Sequence, residues 1–250
     1  MKKIALFLTL FVFIHTSFAQ VVNVEKKRKD DKGFSGSIDL TLNIQETETR
    51  ILELENNINL QYAKKSHKLI FLNNIKMLSV DTGSLVNDGY QHLRYNYTIK
   101  DSSFLTLEAF AQHQYNEQKD FNKRILFGGG PRFRAINKDK IKMFIAPLVM
   151  YEFIEYSDDL NSEVNTIRLD SYISFSLTLS KLISFNHITY YQPVFSDFSN
   201  YRISSVTGLA FNISKYLSYE VNYGIDYDNK PYTNVQKTFW VFENALVLNF

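Results

Sequence analysis

The sequence predicts an all-β protein, a single closed antiparallel transmembrane β-barrel of about twelve strands. Three observations predict it. Apolar and polar residues alternate at period two from Gly33 to Phe250, and no long segment keeps helical period. The composition is aromatic and polar at once, with 21 Phe and 16 Tyr against one Trp, 9 Gly and 4 Pro, which suits strands. Connections alternate between tight turns and longer polar loops, as they do in outer-membrane barrels. The mean hydropathy of −0.21 reads at first as a soluble domain. An inside-out barrel gives the same figure, because lipid-facing and lumen-facing residues average out.

The chain opens on Met1-Lys2-Lys3, followed by an apolar run from Ile4 to Ile14 and small residues at Ser17 and Ala19. This pattern predicts a secretory signal over 1–19, cleaved after Ala19, because the run is too short to span a bilayer. The alternative is a retained N-terminal anchor. Lys2 and Lys3 leave with the signal, so the 28 basic residues fall to 26 and equal the 26 acidic ones. That balance argues against a nucleic-acid partner. With no cysteine there is no disulfide framework, thiolate metal cluster, Cys nucleophile or lipidated N-terminal Cys. No later apolar run reaches membrane length, which excludes a multi-helix membrane protein. Residues 20–32, rich in Lys, Arg, Glu and Asp, form a solvated periplasmic leader. The barrel then occupies 33–250.

Taken in order, the first strand sets Phe34, Ile38, Leu40, Leu42 and Ile44 on one face, and the second Leu52, Leu54, Ile58, Leu60 and Tyr62. A third strand lies in about 67–79, ambiguous in phase. Apolar faces follow at Leu93 to Ile99, Leu105 to Ala111, Ile125 to Phe133, Ile141 to Phe153 and Ile167 to Leu179. The ninth strand, Ile183 to Phe195, is mixed on both faces. The last three run Tyr201 to Ile213, Leu217 to Tyr227 and Trp240 to Phe250.

Tight connections are expected at 63–66, 100–103, 137–140, 180–181 and 214–215. Long polar loops are expected at Asp81 to Gly89, Ser157 to Asn165 and Asp228 to Lys237, with shorter members near Glu46, Glu117 and Asp197. An even strand count puts both termini on the short-turn, periplasmic side. Pro131, Pro147 and Pro193 fall inside strand patterns, where each removes a ladder bond. Counting from the 137–140 turn sets Pro131 opposite about Ala146, beside Gly128-Gly129-Gly130. The reading is one bulge, or else a strand broken into two pieces. Phe250 ends an alternating strand, like the terminal signal read by the outer-membrane assembly machinery.

Several of these residues carry a family resemblance: Gly33-Phe34-Ser35-Gly36, Leu93-Arg94-Tyr95-Asn96-Tyr97, Arg124 before Gly128-Gly129-Gly130-Pro131-Arg132, and Ala146-Pro147-Leu148-Val149-Met150-Tyr151-Glu152. The arrangement resembles an uncharacterised bacterial family described as salt-induced outer-membrane proteins, over the whole chain from Gly33. Members often carry a Gly-Asn pair in the first hairpin, where this chain has Asn43-Ile44-Gln45-Glu46-Thr47. The resemblance implies location and fold and brings no activity.

If the apolar faces meet lipid, the alternate residues line the lumen. An acidic wall is then expected from Asp39, Glu53, Glu55, Glu220, Asp226 and Glu243. A basic wall is expected from Arg94, Arg124, Arg132, Arg134, Arg168 and Arg202, with Glu108, Glu152 and Asp170 mixed in. Hairpin arithmetic pairs Arg94 with Glu108 and Arg124 with Glu152. Two readings stay open: a narrow channel for small polar solutes, or a lumen filled by ion pairs with an envelope-stability role. His187-Ile188-Thr189 is the one pair comparable to a lipid hydrolase's His and Ser, and Thr with no third partner does not make an enzyme. His67, His92 and His113 lack metal spacing, and no cofactor is expected. The expected partners are outer-membrane lipid, lipopolysaccharide and the assembly machinery. The contrasting possibility is a soluble periplasmic β-protein that binds glycan or lipid, since a soluble sheet also alternates.

Overall fold

A computed structural model describes residues 32–46, 50–81, 83–99, 104–158, 162–214, 217–232 and 235–248. The signal over 1–19, the leader up to residue 31 and the terminal Phe250 lie outside them, as do the side chains of Asp39 and Glu243. Twelve strands are described: β1 (Gly33–Glu46), β2 (Arg50–Lys64), β3 (His67–Val80), β4 (Gly83–Thr98), β5 (Leu105–Asn116), β6 (Phe121–Lys138), β7 (Ile141–Tyr156), β8 (Glu163–Thr178), β9 (Ile183–Val194), β10 (Asp197–Asn212), β11 (Leu217–Asp228) and β12 (Thr238–Leu248). They form one antiparallel sheet in strict chain order. Short connections dictate this, since a chain that turns within a few residues can only pair with the strand it has just left.

The two faces are sorted against the usual rule. On the outer face Phe34, Ile38, Leu40, Leu42 and Ile44 of β1 are each more than half exposed, and Leu93, Leu107, Phe127, Val149, Tyr151 and Ile173 continue the apolar surface. On the inner face Arg94, Glu152, Asp170 and Gln192 are all 1% exposed or less. The sheet wraps far enough for strands that are not neighbours to touch. Tyr172 on β8 reaches Glu108 on β5, and Arg202 on β10 reaches Glu152 on β7. Lys119, on the 3-10 turn between β5 and β6, reaches Asp226 on β11.

Four sequence expectations need correction or sharpening. The long loop expected at Asp81 to Gly89 does not form, because β4 already begins at Gly83 and pairs with the end of β3. Gly83, Asp88 and Gly89, which look like loop punctuation, are strand residues with Asp88 facing inward, while Asp81 stays in the turn. Pro131 is not opposite Ala146: pairing runs from Gly129 with Val149 to Phe133 with Ile145, which sets Pro131 across from Pro147. Two missing N–H donors thus coincide in one lapse of the ladder, and β6 continues unbroken through it. Gly130 sits there with φ of 156°, and a Cβ on it would lie 2.9 Å from the Pro147 carbonyl oxygen. The phase of β3 was hard to read because Ile70 and Leu72 point inward while Asn73 points outward. β9 looked mixed because Ile188 and Tyr190 also point inward.

Candidate functional site

The inner face is the candidate site, and its chemistry is built around two buried carboxylates. Glu152 on β7 accepts from Arg124 Nε at 2.6 Å, Arg168 Nε at 2.6 Å and Arg202 Nη1 at 2.5 Å. Arg202 also donates through Nε to Asp228 at 2.6 Å, and Arg168 through Nη1 to the Gln192 carbonyl at 3.0 Å. Glu108 on β5 accepts from Arg94 Nη1 at 3.2 Å, Asn96 Nδ2 at 2.5 Å and the Tyr172 hydroxyl at 2.8 Å, with Arg132 Nε 3.7 Å away. The two pairings expected from hairpin counting are present, both on the diagonal. Asn96, not Arg94, stands directly opposite Glu108, and Leu126 stands opposite Glu152. Buried charges are tolerable only in such company, because an unpaired one would cost several kcal/mol of desolvation.

The expected basic wall is therefore not an open charged surface. Arg94, Arg124, Arg132 and Arg168 are buried against carboxylates and rings, with Arg132 stacked 3.4 Å over Phe144 and Arg94 5.1 Å over Phe110. Arg202 is half-buried in the Glu152 cluster. Arg134 stands half-buried opposite Phe144, away from both clusters. Beside these ion pairs lies an apolar group the sequence reading missed: Phe110, Leu126, Ala146, Leu148, Met150, Tyr172, Ile188 and Tyr190, all buried on the inner side of β5 to β9. Inward apolar residues on an otherwise polar face are the signal that would have found it.

Of the expected acidic wall, Glu53, Glu55, Glu220 and Asp226 lie on the inner face, partly exposed and spread over β2 and β11. Glu53 accepts from Asn43 Nδ2 at 3.0 Å and Glu55 from Asn57 Nδ2 at 2.7 Å. Asp226 takes Lys119 Nζ at 2.5 Å and the Ser204 hydroxyl. Asp39 and Glu243 occupy strand positions in register with Asn57 and Asn222. Lys76 and Asp88, which sequence reading passed over, are buried on this side and stand opposite each other, with Glu55 across from Lys76. Reading the 81–82 connection as a tight turn would have predicted that pair.

Buried polar atoms without a hydrogen-bond partner lie on both sides of the inner face, with Gln192 Oε1 on the apolar side. Asn59 Oδ1, Asp88 Oδ1, Asn96 Oδ1, Gln114 Nε2, Asn116 Nδ2 and Asn222 Oδ1 are buried without a protein partner. Their strands are β2, β4, β5 and β11. A small cavity opens at the loop end between Phe121, Arg124, Tyr156, Gln192 and Asp226. Its rim holds Tyr156 stacked on Tyr232, centroids 3.7 Å apart. The Tyr232 hydroxyl donates to Asp158, and that bond pushes the phenol above its ordinary value. A second, larger cavity lies at the turn end between Asn186, Gly208, Glu220 and Asn222. His92 is buried on the inner face and bonded to Gln112 at 2.8 Å. His187 and Thr189 meet at 3.0 Å on the outer face, with Thr207 2.8 Å from the other ring nitrogen.

The chain was compared with known proteins. The profile of a family described as "Protein of unknown function, DUF481" matches residues 38–250. No curated protein matches the chain. A solved structure described as "NanC porin structure in rhombohedral crystal form" aligns with a TM-score of 0.52 at 8% identity, covering 86% of this chain and 100% of that one. At that identity the likeness is one of fold.

Proposed function

This chain belongs to the DUF481 family, and on that footing we propose that it is a bacterial outer-membrane β-barrel with a narrow hydrated passage for small polar solutes. The observation that carries the reading is the inversion of the sheet: charged and amide side chains are enclosed while a largely apolar surface faces out. A soluble sheet would bury the apolar side against another layer, whereas hydrocarbon is the solvent that rewards the arrangement seen. A porin-like fold agrees with this. In this reading β1 meets β12 to close the wall, so that no ladder edge is left in lipid. A signal over 1–19 exports the chain, both barrel ends lie in the periplasm, and no catalytic role is assigned.

The apolar group and the Glu108 and Glu152 clusters occupy part of the cross-section, beside the loop-end cavity that Phe121, Arg124, Tyr156 and Gln192 line. Along β2 to β5 and β11, buried amide and carboxylate atoms without protein partners call for water. A thin file of water along β11, whose residues line both cavities, would link them. Planar-bilayer recording of the refolded protein in molar salt tests this, with small discrete steps expected. A membrane no more conductive than lipid alone would overturn the channel, and recovery of native protein in the soluble periplasmic fraction would overturn the barrel.

A further inference from the structure

We propose that the outer face of β2 to β5 is an interface on which a second copy of this chain packs, an inference that rests on the outer-membrane reading above. Four polar side chains cross this face where hydrocarbon would meet it. Asn73 and Gln91 stand in the middle of β3 and β4, directly opposite each other, and His113 on β5 is directly opposite Gln91. Asn56 on β2 joins them on the diagonal. Around them the same face carries Leu54, Ile58, Phe71, Leu93 and Ala111. Amides and an imidazole at that depth are unfavourable in lipid, and polar residues so placed usually meet protein.

The four side chains form one hydrogen-bonded row. His113 Nδ1 donates to Gln91 Oε1 at 2.8 Å, Gln91 Nε2 to Asn73 Oδ1 at 3.0 Å and Asn73 Nδ2 to Asn56 Oδ1 at 2.6 Å. Every bond points the same way, so the row ends on a donor at one side and an acceptor at the other. Asn56 Nδ2 and His113 Nε2 are those ends, and neither has a partner among the described residues. Hydrocarbon satisfies neither. A second copy, related by a two-fold axis along the membrane normal, presents the same row with its sense reversed. The donor end of each copy then comes to the side of the acceptor end of the other. That self-complementarity selects another copy of the chain over an unrelated partner. Ala109 and Ala111 on β5 and Gly129 on β6 share the face of His113 and keep the wall low, which suits close approach. The outward polar group on β9 and β10 differs. There Thr207 and Thr189 occupy both ring nitrogens of His187, and Ser205 meets Thr189, so the group is complete by itself.

The test is disulfide cross-linking of the full chain in intact outer membranes, for which a sequence without cysteine is a clean background. Leu93→Cys lies on the outer face beside Gln91, and Ile173→Cys lies on the outer face of β8, at a position of similar exposure. Under mild oxidation Leu93→Cys should give a dimer band on a non-reducing gel, severalfold stronger than that of Ile173→Cys. Adding Asn73→Leu and Gln91→Leu, which suit lipid better than the amides, should return Leu93→Cys to the Ile173→Cys level while the heat-modifiable folded band persists. A folded, membrane-borne Leu93→Cys protein that stays monomeric, joins a different protein, or cross-links no more than Ile173→Cys overturns the interface and leaves the barrel standing. Cross-linking that survives loss of both amides overturns the row as its basis. Recovery of the protein in the soluble periplasmic fraction overturns the barrel and the interface together.

Discussion

The sharpest consequence of the inner face concerns Glu152. Glu152→Gln keeps the side chain's size but removes the negative charge that Arg124, Arg168 and Arg202 share at 2.5 to 2.6 Å. Arg202 retains Asp228, whereas Arg124 and Arg168 have no other carboxylate within ion-pair distance among the described residues. A hydrogen bond to a charged group contributes about 1.5–3 kcal/mol, and removing one partner of a buried ion pair costs about 3–5 kcal/mol because the other charge stays buried. Two guanidinium groups lose their carboxylate here while the amide recovers part of the geometry, so a loss of about 4 kcal/mol is expected. With a urea dependence of about 3 kcal/mol/M, the unfolding midpoint in lipid vesicles should fall by about 1.3 M. Tyrosine fluorescence and loss of the fast-migrating folded band would both follow the transition. A midpoint within about 0.3 M of wild type would show that the cluster is not the brace described here.

Two further outcomes follow from the wall. Val149→Arg puts a charge on the exposed outer face midway along β7 and should destabilise the vesicle-inserted protein by about 2–4 kcal/mol. In a soluble sheet the same exposed substitution would stay within about 0.5 kcal/mol, so a neutral result by urea titration contradicts the membrane reading. Gly130→Ala places a Cβ 2.9 Å from a backbone oxygen that cannot swing aside, at a φ of 156°, and should cost about 1–3 kcal/mol. An unchanged midpoint in the same titration would mean the two-proline lapse is slack rather than tightly packed.

The strand count and the sense of most outer faces were legible because outward positions are mostly apolar, with Asn73, His187 and Thr189 among the departures. Leu40 and Phe127 have no alternative environment, so their period survives in the sequence. The inner face obeys no such rule. It accepts Arg94 and Leu148 equally, provided each finds company from strands that sequence reading cannot bring together. That is why β9 looked featureless while Ile188 and Tyr190 were filling the interior. The charged residues were found one by one, but their effect depends on pairing across the enclosed space, and contacts such as Tyr172 with Glu108 span 64 residues. Asp81 to Gly89 failed for a local reason. Asp88 and Gly89 carry loop composition, and because Val86, Asp88 and Tyr90 share the inner face no apolar alternation marks the strand there.

The strict chain order also bears on how the wall is assembled. Each ladder joins segments adjacent in the chain, so every new hairpin closes a short loop and loses little chain entropy. Hairpins can zip on successively, each using the last as its template. In the closed barrel proposed above, only the seam between β1 and β12 unites the distant ends of the chain. Low contact order everywhere else makes that seam the slow step, and the point where a cellular insertase would have most to contribute.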